Sequence, residues 1–240
     1  MADKQAKAEQ LDSAVIVEKA KGFWVANSKI IIIVGSLVIV LLGGYLGYKY
    51  LVQIPNEKKA NDLIFPAEKL FGLIASTSSY NKDTINMVLN GDKAAGVTGL
   101  LKIASSYGST KSGNRAEYMI GACYLNLKQF DKAISHLKDF DANGATQIQS
   151  KAYLLLGHAY AEQKKTDDAL DYYQKAASVS DLDEAMASEA LFMAGRYADA
   201  MGKTKEATEF FQKLKDKYPA SQRVSSGEVD KYLASLGVTK

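Results

Sequence analysis

The sequence YLLLGHAYAEQKKTDDALDYYQKA, residues 153–176, decides the fold, because its spacing recurs on both sides along the chain. Three segments align on glycines, and twelve residues after each glycine stands an alanine. Four residues beyond each alanine stands a large side chain. The aligned positions are Gly121, Gly157 and Gly195, then Ala133, Ala169 and Ala207, then Leu137, Tyr173 and Phe211. This recurrence predicts three stacked units, each built from two antiparallel helices that touch where the glycine meets the large side chain.

The register resembles the tetratricopeptide repeat, whose pattern runs from a large residue through Leu-Gly, Tyr, Ala and an aromatic residue. The resemblance implies an all-α, tetratricopeptide-repeat-like solenoid with repeats at about 114–147, 150–183 and 188–221. The middle unit matches best. The first unit departs at Glu117, where a large apolar residue is expected. The third has Ala198 where the pattern has Tyr.

Further helices are expected at both ends of the repeats, because a solenoid must cover its terminal faces. On the N-terminal side the pattern predicts helices over about 57–76, 83–89 and 94–107, with no convincing strand. On the C-terminal side it predicts one helix over 221–236, whose capping part is about 226–236. A Ser225–Glu228 capping box would begin this helix.

A second decisive stretch, IIIIVGSLVIVLLGGYLGY, occupies residues 30–48 between Lys29 and Lys49. As a helix it would be about 28 Å long, close to the ~30 Å hydrocarbon core of a bilayer. A buried core helix is one alternative, but the chain has too little else to surround it. A cleaved signal peptide is another, but the apolar run is too long and no small-residue cleavage site follows. The stretch is therefore predicted to be a transmembrane anchor.

The anchor divides the chain into a tail over 1–29, the span over 30–48 and a helical body over 49–240. The tail is expected to be an amphipathic helix at the membrane surface, with a frayed, solvated tail as the alternative. Within twenty residues of the span, three lysines lie on each side. The short tail before the span and the large body after it therefore favour a cytoplasmic N-terminus. Gly43 and Gly47 form a Gly-x-x-x-Gly pair that predicts a packing site for another membrane helix.

Composition excludes several classes of function. The net charge is +3, and basic and acidic residues are well mixed along the chain. A nucleic-acid-binding protein would need a basic patch, so this class is disfavoured. The chain has one cysteine, Cys123, and two histidines, His136 and His158, which lie in different repeats. No metal-ligand spacing, nucleophile motif or phosphate loop is present in the sequence. We therefore expect no enzymatic activity, no cofactor, no metal and no small-molecule substrate.

Repeat solenoids act through a concave groove that is lined by their first helices. The register assigns to this groove positions that carry an apolar line flanked by cations. The predicted partner-binding residues are Arg115, Tyr118, Leu125, Lys151, Leu154, His158, Phe192 and Arg196. For Tyr118 and Leu154, packing between repeats is an equal alternative. Some repeat domains bind the free carboxylate of cytosolic chaperone tails with a set of Asn and Lys side chains. The groove of this chain lacks the Asn, which argues against that kind of partner.

The layout of tail, anchor and repeats resembles the YfgM-like family of bacterial inner-membrane proteins. The likeness is carried by NGD at residues 90–92, GLLKIASSYGSTKSGNRAEYMIGACYL at 99–125, ALDYYQKAA at 169–177 and YP at 218–219. It implies an ancillary subunit of the Sec translocon that pairs with a PpiD-like prolyl-isomerase chaperone and assists exported clients. It also implies a cytoplasmic N-terminus and a periplasmic body. A scaffold of another envelope complex, or a stress-response regulator, is the alternative.

Overall fold

The computed structural model describes residues 2–76, 81–179 and 183–238, and the predicted all-α fold is confirmed. The chain divides into two compact units, Met1–Pro55 and Asn56–Lys240. Each unit has its own architecture.

The first unit is helical. Helix α1 runs from Ala2 to Tyr48 and is followed by a π-helical segment, Lys49–Gln53. From Val15 onward most of its large apolar side chains are exposed, and Ile39 and Val40 are each 71% exposed. Among the described residues, one helical stretch is long and apolar enough to cross a membrane, and it lies near the N-terminus. A surface of this kind is stable only when lipid or another apolar partner covers it.

The second unit consists of helices and one short hairpin. In chain order its elements are α2 (Ile54–Ser76), α3 (Lys82–Asn90), β1 (Gly91–Asp92), β2 (Val97–Thr98), α4 (Leu100–Tyr107), α5 (Lys111–Asn126), α6 (Phe130–Asp139), α7 (Thr146–Glu162), α8 (Thr166–Val179), α9 (Glu184–Ala200), α10 (Thr204–Lys217), α11 (Gln222–Ser225) and α12 (Glu228–Ser235). Helix α2 carries Pro66 in its interior, where the missing N–H removes one helical hydrogen bond.

The three repeats are the helix pairs α5–α6, α7–α8 and α9–α10. Their packing depends on the predicted glycines. A Cβ placed on Gly157 would lie 2.5 Å from Cε1 of Tyr173, and a Cβ on Gly195 would lie 2.8 Å from Cε1 of Phe211. Gly121 meets Leu137 in the same way, at 2.5 Å from Cγ. The aligned alanines are fully buried. The repeat prediction is therefore confirmed at its contact positions.

The N-terminal end of the repeats is closed by α2, α3 and α4, which share one apolar core with α5. The predicted helix over 94–107 is wrong in its first part, because an antiparallel hairpin of β1 and β2 occupies 91–98. Two local features favour the hairpin. The carboxylate of Asp92 accepts a hydrogen bond from the backbone N–H of Ala94 at 2.8 Å. Gly91 has a φ of 85°, and a Cβ there would lie 2.6 Å from the backbone nitrogen of Gly99.

The C-terminal end is closed by two short helices rather than by one. Gly227, with a φ of 73°, separates α11 from α12. The predicted capping box is wrong, because Ser225 donates its hydroxyl to the carbonyl of Gln222 while Glu228 binds Arg223. Tyr232 of α12 stacks on Phe211 with ring centroids 4.9 Å apart, so this helix covers the last repeat as expected.

Candidate protein-binding groove

The first helices of the three repeats form a cavity of about 640 Å³ at their C-terminal ends. Three of the eight predicted groove residues, Leu125, His158 and Arg196, line it together. The remaining lining residues are Asn126, Lys128, Phe130, Ala161, Glu162, Tyr173, Met193, Tyr197 and Ala200. The volume lies in the range of about 300–1,000 Å³ that is typical of protein ligand sites.

Near Arg115, in the first half of α5, the predicted groove is occupied by the chain's own helix α2, whereas Leu125 at the other end of α5 lines the cavity. The Nε of Arg115 donates to the carboxylate of Glu68 at 2.9 Å, and its Nη2 donates to the side-chain oxygen of Asn61 at 3.2 Å. Glu57 accepts a hydrogen bond from the backbone N–H of Lys111 at 2.7 Å, which places a negative charge at the N-terminus of α5. Arg115 therefore holds α2 in place.

The part of α9 that carries Glu189 and Phe192 is covered by the segment around α11, whereas Arg196 on the same helix lines the cavity. Phe192 was predicted to line the groove, and this is wrong, because its side chain is fully buried. The guanidinium of Arg223 lies 4.2 Å from the centroid of the Phe192 ring and donates to both carboxylate oxygens of Glu189 at 3.2 Å. A third bond joins Arg223 to Glu228 at 3.0 Å. The C-terminal cap thus removes Phe192 from solvent.

The other predicted residues lie outside the cavity. Tyr118 packs on Phe140 with ring centroids 5.4 Å apart, which matches the packing alternative. Leu154 is half-buried and contacts the cores of both the second and the third repeat. Lys151 is exposed on the first half of α7.

His158 is the polar centre of the cavity. Its Nδ1 lies 2.9 Å from the hydroxyl of Tyr173. Burial lowers the pKa of His158, and the carboxylates of Glu162 and Glu189 oppose this shift. Burial also raises the pKa of Tyr173, so its hydroxyl stays protonated. The pair is therefore a neutral imidazole beside a neutral phenol.

Met193 and Tyr197 are among the cavity residues that the sequence did not indicate. The repeat register assigned the residues directly before them, Phe192 and Arg196, to the groove. The proximity of Met193 and Tyr197 to Leu125 and His158 depends on the rotation between repeats, which the sequence alone does not give.

Two features that could carry catalytic chemistry, a metal site and a reactive thiol, are not found among the described residues. No group of three or more His, Cys, Asp or Glu side chains there could hold a metal ion. Cys123 is buried, and burial raises the pKa of its thiol to about 12, which keeps it protonated and unreactive.

Gly43 and Gly47 lie one turn apart on α1. Apart from the adjacent residues and the local helix backbone, no atom of the described residues lies within 4 Å of a Cβ placed on either glycine. Helix packing there stays a prediction.

In a comparison with known families, the tetratricopeptide repeat matches this chain at residues 115–143, 150–180 and 189–221. No curated protein matches the chain. The protein therefore contains tetratricopeptide repeats, and such domains are generally non-enzymatic scaffolds for protein–protein interaction.

Proposed function

We propose that the protein is a membrane-anchored binding subunit of the Sec protein-export machinery, whose groove cavity holds other proteins. The supporting observation is that the cavity between α5, α7 and α9 stays open while α2 and α11 cover the groove on either side. The chain uses its own helices to close the ends of the solenoid, and leaves a site of ligand size in the middle.

The assignment to protein export rests on the resemblance to YfgM-like proteins. In this proposal residues 1–29 lie in the cytoplasm, residues 30–48 cross the bacterial inner membrane and residues 49–240 lie in the periplasm. The partners are Sec translocon subunits, a PpiD-like chaperone and exported chains. Gly43 and Gly47 would pack against a membrane helix of the complex.

The mechanism is one of local concentration. An anchor beside the translocon exit confines the groove to the place where exported chains emerge. Confinement of this kind raises the effective concentration of the groove around an emerging chain to about the millimolar range. A groove of modest intrinsic affinity is then sufficient.

Site-specific photocrosslinking tests the proposal. A photoreactive amino acid at Met193, in the cavity, is compared with one at Lys213, which is exposed on α10, in the full-length protein in native membranes. We expect adducts with the chaperone, Sec subunits or exported chains from position 193 only. Adducts with a different stoichiometric partner would favour a scaffold of another envelope complex, and equal adducts from both positions would exclude the groove.

Protease accessibility tests the orientation. Protease added to spheroplasts should remove the repeat domain and leave the tail protected, whereas intact cells should protect both. Cleavage of the tail in spheroplasts would reverse the proposed topology.

A further inference from the structure

The cavity combines an apolar wall with a cationic rim. Leu125, Met193 and Tyr197 supply the apolar wall. Lys128 and Arg196 supply two positive charges against the single negative charge of Glu162, which leaves a net charge of +1 around the opening. An occupant with one apolar side chain and one negative charge complements such a site.

The arginines of the chain differ in their partners, and the difference points to the cavity. The chain has three arginines, at positions 115, 196 and 223. Arg115 binds Glu68, and Arg223 binds Glu189 and Glu228. Arg196 has no salt bridge to any carboxylate in the described part of the chain, and its guanidinium lies 5.9 Å from the centroid of the Phe192 ring. Its planar fork is therefore available for a carboxylate from outside the chain.

His158 adds a second donor. Imidazole nitrogen is a better acceptor than phenol oxygen, so the hydroxyl of Tyr173 donates to Nδ1 across their 2.9 Å contact. In the neutral imidazole the proton then lies on Nε2, because only one ring nitrogen carries it. His158 thus offers an N–H donor in the same cavity as Arg196.

We propose, on the basis of the binding function above, that the cavity recognises an internal acidic–apolar motif in a partner chain. The carboxylate of an Asp or Glu would bind the Arg196 guanidinium and the Nε2–H of His158. A neighbouring large apolar side chain would pack on Leu125 and Met193. An internal segment is the form in which an emerging, unfolded chain presents its side chains, so the motif needs no free C-terminus.

Peptide binding to the full-length protein in detergent micelles tests the proposal. The probes are two fluorescent peptides with blocked ends, Gly-Ser-Ala-Leu-Glu-Phe-Leu-Ser-Gly and the same sequence with Gln in place of Glu. We expect the Glu peptide to bind about tenfold more tightly than the Gln peptide. The reason is that only Glu can form a charge-assisted, bidentate contact with Arg196. Because the change is in the peptide, it does not depend on the folding of any protein variant.

Two protein variants locate the effect. Arg196→Gln should abolish the preference for Glu over Gln. Lys205→Gln removes a cation that is 88% exposed on α10 and should leave the preference unchanged. Equal affinity for the two peptides, or a preference that survives Arg196→Gln, would overturn the proposal.

A third peptide separates internal from terminal recognition. It carries Gln and ends in a free carboxylate directly after the Phe-Leu pair. Binding of this peptide as tight as that of the Glu peptide would overturn the choice of an internal motif. If crosslinks from position 193 persist while no peptide binds, the binding function stands and this motif is wrong. If the peptide preference holds while those crosslinks are absent, the motif stands and the proposed partners are wrong.

Discussion

At Gly157 the two helices of the second repeat meet with no space for a methyl group. We predict that Gly157→Ala lowers the free energy of unfolding by about 1–3 kcal/mol, because the added Cβ would lie 2.5 Å from the buried Tyr173 ring and force it to move. Urea unfolding of the full-length protein in detergent, followed by circular dichroism, measures the change.

Gly72→Ala is the matched control. Gly72 lies inside α2, and nothing is within 4 Å of a Cβ placed there. Alanine in an exposed helical position should raise stability by about 0.5–1 kcal/mol. Equal effects of the two substitutions would show that the glycine contact does not define the repeat.

The second prediction concerns His158 and pH. Burial holds the pKa of His158 below its usual value of about 6.5, so the unfolded chain takes up a proton at a higher pH than the folded chain does. The neutral imidazole therefore contributes stability that is complete above about pH 6.5 and is lost as the pH falls from there through the folded-state pKa. Unfolding midpoints between about pH 7.5 and 5.5 should fall in the wild-type protein.

The control for this prediction is His158→Gln, which cannot take up the proton. Its midpoints should depend less on pH over the same range, although its stability at neutral pH is lower. A wild-type curve parallel to that of the variant would contradict the assignment.

At the scale of the element, the helix pairs could be predicted because their contact residues recur at fixed spacing. The departure at Glu117 also has a local explanation that the sequence did not reveal. Its carboxylate lies 2.6 Å from Nδ1 of His136, in the place where the second repeat pairs Tyr153 with Tyr172. One polar pair thus replaces one aromatic pair at equivalent positions.

The groove could be predicted only in part, because its accessibility depends on elements outside the repeat pattern. The register indicated the correct helices. It did not show that Arg115 would form a salt bridge with Glu68, or that the guanidinium of Arg223 would lie over the Phe192 ring. The hairpin after α3 was missed for a similar reason. It is only two residues per strand, and its turn depends on the local contacts of Gly91 and Asp92 rather than on a periodic pattern.

The third prediction belongs to the C-terminal cap. Arg223→Met should lower the free energy of unfolding by about 1–2 kcal/mol, because it removes a two-pronged contact with Glu189 and a cation over Phe192 in a half-buried site. Thermal unfolding of the full-length protein measures the loss.

Lys205→Met provides the comparison. Lys205 and its partner Glu209 are 88% and 65% exposed on one helix face, and such pairs contribute about 0–0.5 kcal/mol. If both substitutions have the same small effect, α11 is not an anchored cap, and Phe192 is open to partners.

At the scale of the whole molecule, the two units differ in the solvent that each requires. Residues 56–240 bury their apolar side chains in their own cores, which extend from α2 to α12. In the first unit large apolar side chains such as Ile33, Ile39 and Val40 are more than half exposed. In water a monomer with that surface would associate, since contiguous apolar patches of this extent drive association.

We therefore predict that residues 56–240, expressed without the first unit, form a soluble monomer that unfolds cooperatively in detergent-free buffer. The full chain should require detergent. Deletion of residues 1–29 alone is the matched control, and it should leave that requirement unchanged because the apolar helix remains. Sedimentation velocity gives the assembly state, and circular dichroism gives the unfolding transition. A full chain that sediments as a monomer without detergent would exclude the anchor, whereas an unfolded 56–240 fragment would show that the repeats depend on the first unit for their fold.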